Sequence, residues 1–209
     1  MHKRAVEFEK RHCVNVSRLG IGSFALVALV GCSALDVQLA DVGTRFDDSL
    51  AAGSAMASRL ESYPNTEWSS VPGTGSARFV GKTLITVDAG VLNGTRISGD
   101  AVINVSFAGD TVTGTLDDFF GKNSAGKAEP IYGSVNLPTG EIGRVIPNDI
   151  FATYAGTISG FNRDLVLSGE AIGHFIKTPI VGLELDDSTA IIEVDGTPVA
   201  GTVQIVAEK

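Results

Sequence analysis

The chain is poor in the side chains that most site chemistry needs. It has two cysteines, three histidines and one tryptophan in 209 residues. A metal centre gathers several Cys, His or carboxylate ligands at set spacings, and no such grouping is present. There is no serine-centred nucleophile elbow, no phosphate-binding glycine loop and no histidine-based dyad. Catalysis is therefore not expected; a glycosidase working with paired carboxylates is the least favoured of three function classes. Long apolar runs are also missing. The main apolar run, Leu19 to Val30 (LGIGSFALVALV), is about a dozen residues, too short to cross a bilayer as a helix.

That stretch is instead the right length for the core of an export signal. Lys3, Arg4, Lys10, Arg11 and Arg18 make the preceding segment basic, and Leu29-Val30-Gly31-Cys32 follows directly. Two aliphatics, a small residue and a cysteine resemble the bacterial lipobox. That resemblance implies cleavage before Cys32, a diacylglycerol on its thiol and acylation of the new amine. The alternative is a plain secretory signal with an incidental cysteine, or a short buried helix. The leader is long and carries Glu7 and Glu9, so a start at Val14 or Val16 is a further reading. Ser33 follows the cysteine, and a neutral second residue points to the outer membrane, periplasmic or surface-exposed.

Cleavage changes the charge. Five of the 16 basic and two of the 24 acidic residues precede Cys32. The mature chain would keep 11 and 22, a net charge of about −11, which argues against nucleic acid as a partner and against electrostatic adhesion to anionic lipid. It would keep one histidine, His174, and one cysteine, Cys32, so no internal disulfide is possible. No cofactor and no metal are expected.

Residues 32–71 read as a tether. Ser49–Tyr63 is rich in Ala and Ser, Asp47, Asp48 and Ser49 offer N-cap groups, and Leu50, Met56 and Leu60 form a weak stripe that Pro64-Asn65 stops. A frayed helix or disordered spacer is preferred; a helix bound to the following domain is the alternative. From residue 72 to 209 the apolar period becomes two. Ala101, Ile103, Val105 and Phe107 alternate with polar residues up to Gly109-Asp110, and Val112, Gly114 and Leu116 follow, forming the clearest hairpin. Tyr154–Ile158, Leu165–Phe175, Ala190–Val194 and Val199–Ile205 repeat the pattern, with Asp195-Gly196 as a tight turn. Weaker runs lie near 131–137 and 141–146. The sum is an all-β domain, an eight-stranded antiparallel β-barrel whose closure removes its edges. Inward glycines, Gly114 and Gly173 among them, would make room for large neighbours in a small interior.

Three motifs support this. Pro72–Gly81 (PGTGSARFVG), Gly99–Thr115 and Gly169–Phe175 (GEAIGHF) resemble, in order, the barrel domain of transferrin-binding protein B and related surface lipoproteins. The resemblance covers roughly residues 70–209. It implies a lipidated, exported eight-stranded barrel that binds a protein or small-molecule ligand through its loops. It departs from the family in having room for one barrel and no handle domain, and in ending Gly201-Thr202-Val203-Gln204-Ile205-Val206 without an aromatic. Transferrin binding is therefore not implied.

The expected partners are a membrane, through the lipid anchor, and an unidentified ligand held by loops at one end of the barrel. Lys82–Ser98, Gly121–Pro130 and Arg144–Ile150 are the candidate connections. A structural envelope lipoprotein, or a haem or lipid carrier with an open interior, are the alternatives. His174 is expected on the solvent face of its strand. Asp117-Asp118 and Asp186-Asp187 are expected at strand ends as solvated carboxylates rather than Ca²⁺ ligands. One of Phe119 and Phe120 must face outward or enter a loop, as a candidate contact patch.

Overall fold

A computed structural model describes residues 33–143 and 149–209. Among the described residues one α-helix, α1 (Ser33–Glu61), precedes ten strand segments. These are β1 (Ser76–Val87), β2 (Thr95–Ser106), β3 (Thr111–Lys122), β4 (Ala128–Leu137), β5 (Gly140–Gly143), β6 (Asp149–Gly160), β7 (Arg163–Ile176), β8 (Gly182–Asp187), β9 (Ile191–Val194) and β10 (Thr197–Glu208). All pairings are antiparallel, and the sheet closes where β10 meets β1. β4 and β5 both lie between β3 and β6, so they are two halves of one stave broken at Pro138-Thr139. β8 and β9 likewise share the place between β7 and β10. Ten segments thus make the expected eight-stranded closed barrel.

The predicted hairpin is present, with Ser106 opposite Thr111 and Asp110 at φ +50° in the turn. Asp195 and Gly196 both adopt positive φ, as a two-residue hairpin turn of the primed type requires. The β6–β7 turn does the same with Phe161 and Asn162, a pair without glycine that the sequence reading passed over. The connection expected over Lys82–Ser98 is much shorter. β1 continues to Val87 and β2 begins at Thr95, because Thr83, Ile85 and Val87 keep pointing inward. The connection after β3 is residues 123–127, and residues 144–148 lie outside the described ones.

Inward residues fill the barrel. Phe79, Ile103, Leu116, Ile158, Leu165, Phe175, Val203 and Ile205 are all completely buried. The ring of Phe175 lies 6.2 Å from that of Phe79 and 5.7 Å from that of Phe107, the spacing of a packed aromatic cluster. The inward glycines leave no room for a side chain of their own, beside a branched chain at Gly114 and against backbone at Gly173. A Cβ on Gly114 would stand 2.6 Å from the Val102 carbonyl oxygen and 2.8 Å from Ile103 Cδ1, and one on Gly173 would run into the Glu184 backbone.

The two ends of the barrel differ. The upper end carries residues 88–94, 123–127, 161–162 and 195–196. The lower end carries residues 107–110 and 177–181, and is spanned by the segment that enters β1. That segment is tied to β7 by the Thr66 N–H to the Phe175 carbonyl and to β2 by the Phe107 N–H to the Gly75 carbonyl. Between these ties Val71 joins the core.

Candidate functional site

Cys32 and the lipobox residues Leu29, Val30 and Gly31 lie outside the described residues. Residues Ser33–Glu61 are α1. The segment expected to be a frayed helix or spacer is helical up to Glu61, and Asp47, Asp48 and Ser49, offered above as caps, are interior helical residues. Alanine-rich sequence favours this state. The helix ends where the Ser62 and Tyr63 N–H groups bond to the Arg59 and Leu60 carbonyls ahead of Pro64.

α1 lies on the outer wall rather than free of it. Val42, Phe46, Ser49, Leu50, Gly53, Met56, Ala57 and Leu60 recur every three or four residues, the spacing of one helical face. Phe46 is 1 % exposed and Leu60 fully buried. Small residues in the middle allow a close approach: a Cβ on Gly53 would stand 3.2 Å from the Lys82 Cβ. The Ser49 and Ser98 hydroxyls meet at 2.9 Å, in a buried position. A recess of ≈ 110 Å³ remains between helix and wall, lined by Ser49, Gly53, Ala57, Lys82, Leu84 and Val206 among others. Charges fasten the rim. Lys122 bonds Asp47 at 2.9 Å, Arg45 stands 3.5 Å from Asp118, and Arg59 bonds both oxygens of Glu208 at 3.1 and 2.9 Å.

Phe119 and Phe120 resolve as one inward and one outward residue, both buried. Phe120 is covered by the chain's own helix, with the Arg45 guanidinium 4.1 Å from the ring centroid. It is thus not an open contact patch. Asp117-Asp118 does not end a strand. It sits inside β3 at a bulge against β2 and β4, with Asp118 at φ +48°. Asp186-Asp187 does end β8, as expected. Asp187 is engaged: it accepts from the Tyr154 hydroxyl at 2.7 Å and from the Thr189 N–H at 3.0 Å. Burial, then the Asp187 bond, push the Tyr154 hydroxyl well above the usual phenol range.

His174 faces outward as expected, but half-buried rather than solvated. Burial holds its imidazole below the usual value, against the opposing pull of Asp149. Its cross-strand neighbour Glu184 is pushed up by burial and then by Glu61 at the end of α1, and its Oε1 is buried without a hydrogen-bond partner. Among the described residues no group of three or more His, Cys, Asp or Glu is placed to hold a metal ion, and no helix is long and apolar enough to cross a membrane.

The geometry defines a class: a closed, side-chain-filled eight-stranded barrel with one helix fastened along its wall. Comparison of the chain with protein-family models, with curated proteins and with solved structures found no match.

Proposed function

We propose that this protein is an exported lipoprotein, anchored through Cys32, whose barrel is a rigid scaffold offering connecting segments to a binding partner. The observation that carries this reading is that α1, which follows the lipobox sequence Leu29-Val30-Gly31-Cys32, is packed along the wall of a filled barrel. The filled interior favours recognition by surface segments over carriage of haem or lipid, which would need a cavity of several hundred Å³.

A barrel of the transferrin-binding protein B type fits the same reading. Pro72–Gly81 leads into β1, Gly99–Thr115 lies on the β2–β3 hairpin and Gly169–Phe175 lies on β7. In each, at least one glycine shares the inward face with an aromatic, Gly81 with Phe79, Gly99 and Gly114 with Phe107, Gly169 and Gly173 with Phe175, which is the device a small closed barrel needs. The test is the Cys32→Ser variant, followed by fractionation of the envelope. Loss of the processed protein from the membrane fraction supports the reading. A variant that still fractionates as a processed membrane lipoprotein overturns it.

A further inference from the structure

α1 does more than join an anchor to a barrel: it has a direction. Its early residues meet the upper end, where Gly43 approaches Ala128 at the start of β4 and Phe46 lies under Lys122 at the end of β3. Its middle meets Ser98 and Lys82. Its last turn meets the lower end, where Arg59 holds Glu208 and Leu60 covers Gly182. The contacts move from β4 through β3, β2, β1 and β10 to β8 while descending each strand in turn. Barrel strands tilt by about 35–45°, so a helix that crosses them in this way runs close to the barrel axis, from the upper end down.

Ten residues separate Ser33 from Gly43, about 15 Å of helix at 1.5 Å per residue. The contacts from Gly43 to Leu60 fix the rest of the helix to the wall, so little slack remains for the barrel to turn over. The lower end stands about 40 Å from Ser33 along the same helix.

We propose that the barrel stands end-on to the membrane, with residues 88–94, 123–127, 161–162 and 195–196 facing the lipid. The lower end is then the one presented to a protein partner in the aqueous phase. This rests on the anchor at Cys32 proposed above and adds which end is free. It also reverses the weight given to the connections. Two of the three candidate loops belong to the upper, lipid-facing end, and the partner meets residues 62–75, 107–110 and 177–181 instead. That end carries Tyr63, which is 40 % exposed with the Lys177 ammonium 4.0 Å from its ring centroid, and the half-buried Trp68. Aromatic side chains of this kind dominate protein interfaces.

The experiment uses the full chain, exported with its own leader, purified and placed in vesicles that contain an energy-acceptor headgroup lipid. A donor dye is attached at Ala125→Cys in the upper end or at Ala108→Cys in the lower end, both exposed positions. An acylated Cys32 does not take up the dye. The Ala125 donor is expected to be quenched several-fold more than the Ala108 donor. Equal quenching, or stronger quenching at Ala108, in protein that is vesicle-bound through an acylated Cys32 overturns the orientation and leaves the anchor standing. Protein with an unmodified Cys32 that does not join the vesicles overturns the anchor reading, and this proposal with it.

Discussion

Replacing Phe46 and Leu60 by alanine, singly and together, removes the two fully covered anchors of α1. A large apolar side chain cut to alanine in a packed site costs about 2–5 kcal/mol. The two sites lie about 20 Å apart along the helix, so their effects should add. The sum, about 4–10 kcal/mol, is comparable with the whole stability of an ordinary domain, about 5–15 kcal/mol. Two outcomes are distinguishable. If helix and barrel melt as one unit, each single variant lowers the melting temperature by several degrees and the double variant by roughly their sum, about 2–4 °C per kcal/mol at this size. If the helix can peel away, the loss stops at the free energy of its attachment, and an early helical transition separates from the barrel melt. Far-ultraviolet circular dichroism on a chain beginning at Ser33 reads both. Double-variant melting unchanged from the parent would refute the account of α1 as part of the folded unit.

Gly114→Val and Gly173→Leu should each cost about 1–3 kcal/mol through overpacking, because backbone atoms meet the added carbons; an unchanged denaturation midpoint for either would place that glycine outside the core. Glu184→Gln should be more stable than the parent near pH 7. The raised Glu184 pKa means that the folded state prefers the protonated carboxyl, so its unfavourable contribution is present above the folded pKa and disappears as pH falls toward 4.5. The advantage of the variant should shrink over the same range in melts taken across pH. His174→Gln should flatten a different slope: the folded pKa lies below the ordinary 6.5, so the parent loses stability as pH falls below 6.5 and the variant does not.

Alternation made the barrel legible. Leu165, Leu167, Ala171 and Phe175 alternate with polar or exposed residues, and all four are buried. Two kinds of element escaped. β1 past Lys82 looked irregular because outward-facing Leu84 blurs the alternation, and Leu84 is apolar because it lines the recess beneath α1. The helix itself was undervalued for the complementary reason. The middle of its inner face carries Ser49, Gly53 and Ala57, which give little hydrophobic signal yet permit the close approach at Gly53. Phe46 at the head of that stripe was the missed clue. The interruption of one stave at Pro138-Thr139 has a plain physical signal, since proline cannot donate to a ladder. The break after Asp187 had its signal in the Asp186-Asp187 pair, and there the Asp187 carboxylate turns to Tyr154 and Thr189.

The anchor is the centre of the account, and mass spectrometry of the mature N-terminal peptide from membranes tests it most directly. The predicted result is a peptide that begins at Cys32 and carries a diacylglycerol on its sulfur. A mature protein that retains residues before Cys32, or one whose Cys32 thiol is free, would contradict it.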